Sequence, residues 1–209
     1  MGLFDLPRVE VKSRAEWRQW LQTHHQQRES IWLVSYKRSS PYYLSYAAIV
    51  EEALCFGWID SRPAKLDSER SMLLLSPRKP GSNWSKLNKE RVAALTAAGL
   101  MTPAGQAKID QARRDGTWDA LNSVDALEMP ADLTAALRKH PPAEKNFAAF
   151  PPSNRRGILD WLLSAKTEST RGQRLSEIAI LAAQNIRANT PAARAYRSRT
   201  SPSRTASTK

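Results

Sequence analysis

Residues 76–91 combine positive charge with a predicted helix start, a pairing that suits an anion. Arg78 and Lys86 flank Ser82 and Asn83, either of which can begin a helix. The first backbone N–H groups of a helix have no partner within it, so with these cations they favour a bound anion. The spacing G-x-x-x-x-G-K is absent, so the segment is not a P-loop.

Trp84 stands in the first turn of that predicted helix, and Asn88 follows one turn later. The indole offers a stacking face for a base, a sugar or another flat group. The alternative is a packing anchor, which is the commoner role of a first-turn tryptophan. Both interpretations stay open at this level.

Residues 51–62 hold the second set of reactive groups. On a helix, Glu51 and Glu52 precede Cys55 by one turn, so each carboxylate can approach the thiol or the following Asp60. Nearby anions and a helix C-terminus raise a thiol pKa, which predicts a structural cysteine rather than a nucleophile. The carboxylates are either solvated or paired with local arginines, or they orient a ligand amine or act as a general base.

The histidines and the cysteine form no metal or hydrolase pattern. His24 and His25 are adjacent and point to different faces, and His140 falls in a last helical turn before Pro141. Cys55 is the only cysteine, which excludes an intramolecular disulfide and a zinc-type C-x-x-C pair. No catalytic triad can be built around it. The sequence predicts no metal and no cofactor.

The reactive segments fall on a predicted small sheet with helices packed against it. Ser13 and Ser45 are placed to cap two helices, and Gly57 follows the second where a left-handed residue ends a helix. A β-branched and aromatic composition predicts a central strand at residues 30–37. Further strands are predicted at residues 8–11, 59–66 and 71–75.

After Pro80 every segment has helical periodicity bounded by helix punctuation. The predicted fold class is α+β, with a small N-terminal β-sheet and packed helices, a mainly helical C-terminal half and a disordered basic tail. We divide the chain into residues 1–125 with the candidate site, 126–186 as a C-terminal helical part packed on it, and 187–209 as the tail.

Half of the chain's net positive charge belongs to that tail. The formal charge is +12, and from Arg187 onward six basic residues and no acidic ones occur, which leaves +6 for the remainder. Few large apolar groups are available there to offset the entropy of ordering. The tail is either a solubilising terminus or a weak, salt-sensitive tether to RNA, DNA or an anionic surface.

Composition favours a cytoplasmic protein. The chain has 209 residues with 41% hydrophobic content, enough for a sizeable core. No stretch approaches the roughly 18 apolar residues of a membrane span, and the N-terminus lacks a basic region followed by an apolar one. We expect no membrane span and no secretion. The oligomeric state stays open.

Several motifs resemble the bacterial YdeI/OmpD-associated family, also called bacteriocin-protection proteins. They are EEALCFGWID (51–60), SPRKP (76–80), NWSKLNKE (83–90), AGLMTPAG (98–105) and DGTWD (115–119), and the resemblance continues through the C-terminal helices to about Ile186. It implies a link to envelope stress, porins and antimicrobial peptides, and it implies no catalytic residues. At Asp60 and Ser61 this sequence departs from the family pattern, in which glycine follows the aspartate.

Three functional hypotheses follow. The leading one is a cytoplasmic stress-protection protein with an anionic-ligand groove between the segment at residues 55–62 and the helix beginning at Trp84. The second is an enzyme on a small anionic substrate, with Glu51 or Asp60 as acid or base. The third is weak nucleic-acid binding through the tail. The candidate ligand-binding residues are Glu51, Asp60, Arg62, Arg78, Trp84, Lys86 and Asn88.

Overall fold

The chain folds into two units that divide between Leu121 and Asn122 in the computed structural model, which describes residues 2–200. The first unit contains a sheet with helices, and the second is helical. The α+β class predicted from the sequence is therefore confirmed. The division lies a few residues before the one predicted after residue 125.

Unit 1 begins with a short 3₁₀ helix, Leu3–Asp5. Its strands are β1 (Arg8–Glu10), β2 (Ile31–Tyr36), β3 (Trp58–Lys65) and β4 (Arg70–Pro77). Its helices are α1 (Arg14–His24), α2 (Tyr46–Cys55), α3 (Lys86–Ala97) and α4 (Pro103–Arg114).

Within residues 2–200 the strands form a four-stranded sheet in the order β1-β2-β4-β3. β1 is parallel to β2, and the other pairs are antiparallel. The predicted central position of β2 is confirmed, and its side chains are buried on both faces, as expected for an interior strand. Leu33 joins the core beneath α1 and α2, whereas Trp32 joins a second cluster on the opposite face.

The helix caps explain where most of the unit 1 helices begin. The Ser13, Ser45 and Thr102 hydroxyls each accept a backbone N–H from the first turn of their helix, and the sequence predicted the caps at Ser13 and Ser45. The prediction that a helix opens at Ser82 or Asn83 is wrong. α3 begins at Lys86, and Ser85 is its cap.

The late start of α3 has a local cause. The Arg78 side chain donates to the carbonyl oxygens of Ser82 and Asn83, and the Trp84 N–H donates to Thr117 O at 3.3 Å. Because these carbonyl oxygens and this N–H already have hydrogen-bond partners, residues 82–84 stay outside the helix. Trp84 is therefore not a first-turn residue.

Unit 2 is built from helices around its own core. They are α5 (Asn122–Asp125), α6 (Ala131–Arg138), α7 (Ala143–Ala149), α8 (Pro152–Leu163), α9 (Glu168–Ala183) and α10 (Pro191–Thr200). The large side chains that they bury include Leu133, Leu137, Phe147, Ile158, Leu159, Leu162, Ile178 and Leu181.

Helix α10 occupies part of the segment in which the sequence predicted disorder. The Thr190 hydroxyl accepts the Ala193 N–H at 3.3 Å, and Pro191 takes the first helical position, where its missing N–H is not needed. Ala193 is fully buried, which anchors the helix despite its polar composition. Residues 201–209, the rest of the predicted tail, lie outside the described residues.

Across the part of the chain that the structure describes, no helix combines the length and the apolar character needed to cross a bilayer.

Candidate functional site

A groove of about 870 Å³ lies in unit 1 where four segments meet. They are the chain after α1, the turn between α2 and β3, the end of β4 with the residues that follow it, and one side of α4. Its lining residues are His25, Gln26, Gln27, Arg28, Phe56, Gly57, Pro77, Arg78, Lys79, Pro80, Ala104, Ala107 and Lys108.

Two glycines allow α4 to approach the α2–β3 turn closely enough to form a wall of this groove. Gly57 has φ +76°, and a Cβ placed on it would lie 2.7 Å from Lys108 Cγ. A Cβ on Gly105 would lie 2.2 Å from the Cys55 carbonyl oxygen. The same oxygen accepts the Thr102 hydroxyl at 2.6 Å, which fixes the start of α4 against α2. The wall therefore depends on backbone contact that a larger side chain would prevent.

Sheet register places Arg78 in the groove. Trp58 pairs with Pro77, so the next residue of β4 falls beside Gly57, and the Arg78 N–H donates to Gly57 O at 2.9 Å. The Arg78 guanidinium turns inward, and the residue is only 4% exposed. Its Nη2 donates to Asn83 O at 2.5 Å.

The remaining Arg78 nitrogens, Nε and Nη1, are buried and have no hydrogen-bond acceptor among residues 2–200. None of the described carboxylates forms an ion pair with Arg78, and its guanidinium carbon instead lies 3.6 Å from the centre of the Trp84 ring. Burial lowers the pKa of Arg78 to about 10. An unpaired cation buried this way is costly, and a bound anion would offset that cost.

Trp84 shares this arrangement. It is 1% exposed, and its indole Nε1 also lacks an acceptor among the described residues. The other fully buried indoles of unit 1 are satisfied, since Trp17 Nε1 donates to Ile49 O and Trp58 Nε1 to His25 O, each at 3.0 Å, and Trp32 Nε1 donates to Leu3 O at 2.9 Å. A cavity of about 10 Å³, close to the size of one water molecule, is lined by both Arg78 and Trp84.

The charge around the groove has one sign. Besides Arg78, the basic residues Arg28, Lys79 and Lys108 line it, together with His25, and no carboxylate is among its lining residues. The apolar part comes from Phe56, Pro77, Pro80, Ala104 and Ala107. Electrostatics therefore favour an anion, and the lining offers no acid–base carboxylate.

Glu51 lies in a different place, at the contact between α1 and α2. Arg14 Nη1 donates to Glu51 at 2.9 Å, and Arg14 Nε donates to the buried Glu52 at 2.6 Å. Arg18 Nη1 completes the cluster with a 2.7 Å bond to Glu52. Burial alone would lower the pKa of both arginines. Hydrogen bonding to Glu52 outweighs burial and raises the pKa of each above its ordinary value. Of the alternatives predicted for Glu51 and Glu52, the structure therefore shows the one in which they pair with local arginines.

Asp60 and Asn88 are linked to each other through two further residues. The Tyr46 hydroxyl donates to Asp60 at 2.6 Å, and Arg91 Nη1 donates to Asn88 Oδ1 at 3.1 Å, with the Arg91 guanidinium 5.8 Å from the Tyr46 ring centre. Burial, and then the Asp60 hydrogen bond, raise the pKa of Tyr46 to about 12. Neither Asp60 nor Asn88 lines the groove.

Arg62 lies exposed on β3, and Lys86 lies exposed at the first position of α3. The structure thus brings Arg78 and Trp84 together and distributes the other predicted residues elsewhere in unit 1. Sequence reasoning missed Arg28 and Lys108 and gave His25 no role. The one available signal was the glycine pattern at residues 57 and 105, which marks a close approach of backbones.

Among the described residues, no group of three or more histidine, cysteine or acidic side chains is arranged to hold a metal ion. Cys55 is buried and free. Burial first, and then the charge of Glu52, raise the pKa of its thiol, while Arg18 acts in the opposite direction. Its surroundings are those of a structural cysteine.

Two family models match different parts of the chain. Residues 9–108 match one described as Domain of unknown function (DUF8412), and residues 126–185 match one described as Bacteriocin-protection, YdeI or OmpD-Associated. No curated protein and no solved structure gives a match. The motifs that carried the resemblance lie mostly within residues 51–119, whereas the second match covers helices α6 to α9 of unit 2. The chain therefore carries, at residues 126–185, a domain of the YdeI/OmpD-associated, bacteriocin-protection family.

Proposed function

We propose that unit 1 binds a small anionic ligand in the groove beside Arg78, and that this binding underlies a bacteriocin-protection-type role. That role is supported at the level of the family by the domain at residues 126–185. The anion-binding step is our proposal, and it concerns unit 1, whereas the matched domain lies in unit 2.

The observation that carries the proposal is the buried guanidinium of Arg78. Its Nε and Nη1 find no acceptor among residues 2–200, and the Trp84 indole beside them also lacks one. Each unsatisfied buried donor costs about 1–3 kcal/mol. A bound oxyanion in the groove would supply the missing negative charge next to this guanidinium, whose unpaired nitrogens are themselves closed to solvent.

The surrounding residues support the same ligand charge. Three further basic side chains and a histidine line the groove, and its lining contains no carboxylate. The acid–base hypothesis gains nothing here, because Glu51 is held by Arg14 and Asp60 by Tyr46. Nucleic-acid binding through the tail stays a prediction.

We also propose a cytoplasmic setting within a stress response. The support is compositional: a single cysteine that is free and buried suits a reducing compartment. Fractionation of cells expressing the tagged protein tests it, and recovery in the periplasmic fraction would contradict it.

The Trp84 indole N–H gives a local reporter of binding. We expect ethyl phosphate at millimolar concentration to shift its resonance in ¹H–¹⁵N spectra of the full chain, with assignment by Trp84→Phe. The shift should disappear in Arg78→Met. It should persist in Arg114→Met, which removes the same charge from an exposed position outside the groove.

A second pair of variants tests the groove without altering a buried residue. Ala107 is exposed and lines the groove, whereas Ala94 is exposed on α3 and does not. Ala107→Glu should weaken ethyl phosphate binding at least tenfold, because it places a carboxylate among the cations, and Ala94→Glu should leave it unchanged. Equal binding by both variants would show that the anion lies elsewhere.

A further inference from the structure

We propose that the ligand is amphiphilic: a phosphate monoester attached to an apolar chain. This inference rests on the proposed anion site and names the class of molecule that would occupy it. The head group would take the unpaired donors of Arg78, and the chain would lie along the apolar side chains of the groove.

The size of the groove argues against a bare inorganic anion. At about 870 Å³ it falls within the range of roughly 300–1,000 Å³ that is typical of sites for organic ligands. The donors of Arg78 account for only one point in it. A ligand that filled the rest would make most of its contacts with groups other than the cation.

Most of the surface that those other groups expose in the groove is apolar. Phe56, Pro77, Pro80, Ala104 and Ala107 contribute five of the thirteen lining residues, and they come from three of the four segments that form the groove. Such a lining stabilises a bound apolar body by removing it from water. A polar body that lay against these five residues would lose hydration without gaining hydrogen bonds from their side chains.

A nucleotide fits the groove less well than an alkyl chain. Gln26 and Gln27 are the neutral polar side chains among the lining residues. The one aromatic ring of the lining, Phe56, is 5% exposed and packs against His25, so it offers little face for a base to stack on. The four cations of the lining thus complement an anionic head group, and its apolar surface complements hydrocarbon.

A homologous series measures this directly. We would titrate the full chain with ethyl, butyl and hexyl phosphate, following the Trp84 indole resonance and the heat of binding. Burial of each methylene should improve affinity about fourfold, so the hexyl ester should bind on the order of a hundredfold more tightly than the ethyl ester.

Variants assign the two parts of the ligand to the two parts of the site. Arg78→Met should weaken binding of every ester by a similar factor. Ala107→Gln adds a polar side chain to the apolar wall without adding charge, so it should reduce the gain per methylene and leave ethyl phosphate within about twofold. Ala94→Gln is its matched control outside the groove and should change neither quantity.

The outcomes separate this inference from the proposed function. If all three esters bind with equal affinity and Arg78→Met abolishes binding, the anion site stands and the amphiphilic ligand is wrong. If no ester binds, the proposed function itself fails. Equally tight binding of hexyl glucoside, which has no charge, would show an apolar site without anion selectivity and would overturn both.

The same chemistry occurs in dissolved esters and in the head groups of anionic lipids, and a sedimentation assay distinguishes these sources. Vesicles of phosphatidylcholine with phosphatidic acid, compared with phosphatidylcholine alone, should retain the protein only if it can reach head groups in a bilayer. Retention that Arg78→Met abolishes would make a lipid the source. Absence of retention, with tight hexyl phosphate binding, would make it a dissolved ester.

Discussion

Unit 1 buries two charged side chains, Glu52 and Arg78, and treats them differently. Glu52 is 2% exposed and accepts hydrogen bonds from two cations on α1, Arg14 Nε at 2.6 Å and Arg18 Nη1 at 2.7 Å. Arg78 is 4% exposed, and its Nε and Nη1 have no acceptor among the described residues. One buried charge is compensated within the fold, and the other is not.

The difference separates a structural role from a binding role. A buried charge with complete partners contributes to the packing of the elements that carry it, and removing one partner leaves the rest uncompensated. A buried cation that has carbonyl and ring contacts but no counter-ion among the described residues keeps part of its burial cost. Its presence makes sense if a ligand supplies the missing anion. A substitution at Glu52 should therefore change stability more than anion binding, and a substitution at Arg78 should change anion binding more than stability.

The largest effect on stability is expected at Glu52. Glu52→Gln removes the carboxylate that joins Arg14 and Arg18, so two partly buried cations lose their shared partner. We expect the free energy of unfolding of unit 1 to fall by about 2–3 kcal/mol, measured by urea denaturation followed by tryptophan fluorescence.

Glu51→Gln is the matched control for that variant. Glu51 is the neighbouring carboxylate, is more exposed and pairs only with Arg14 among the ion pairs of the described residues. Its replacement should cost less than about 1 kcal/mol. Equal losses for the two variants would remove the distinction between the buried cluster and an ordinary surface pair.

A much smaller change in stability is expected for Arg78→Met. The substitution loses the bond to Asn83 O and the contact with the Trp84 ring, but it also removes an uncompensated buried charge. We expect the free energy of unfolding without ligand to stay within about 1 kcal/mol of the parent value while ethyl phosphate binding is lost. A loss of 3 kcal/mol or more would place Arg78 with Glu52 as a structural charge.

The smallest effect concerns Cys55, which lies beside the compensated cluster. Because the folded state raises the pKa of this thiol, the unfolded chain releases its proton first as the pH rises. Stability should therefore fall above about pH 8.5, by at most about 1.4 kcal/mol per pH unit.

The Cys55→Ala variant isolates this contribution. Urea denaturation between pH 8 and 9.5 should give a shallower decline in stability for the variant than for the parent chain. Identical slopes would mean that the thiol titrates alike in the folded and unfolded states. Rapid labelling of the native chain by a thiol reagent at neutral pH would point the same way, because a buried protonated thiol reacts slowly.

The local elements of unit 1 were predictable because short-range chemistry specifies them. Ser13 and Ser45 cap the helices that follow, Gly57 has the positive φ expected after α2, and the apolar run at Ile31–Tyr36 is the interior strand. Each depends on a residue's own conformational preference or on a periodicity within a few neighbours.

The start of α3 and the helix at Pro191–Thr200 were not predictable in this way. Ser82 and Asn83 are good capping residues, but their carbonyl oxygens bind Arg78, a contact that overrides the local preference. The polar composition of α10 suggested disorder, whereas the burial of Ala193, which anchors this helix, depends on tertiary packing. The Trp84 N–H also binds the distant Thr117 O, so in both segments packing contacts outweighed local propensity.

The sequence by itself determined the α+β class, the strand positions, the caps at Ser13 and Ser45, the absence of an intramolecular disulfide and the presence of a basic segment around Arg78. Only the tertiary structure decided which of the charged residues have partners. Sheet register places Arg78 beside Gly57, and the close approach of α4 brings Lys108 to the same groove. Compensation of a buried charge depends on contacts between residues far apart in the chain, and no local pattern records them.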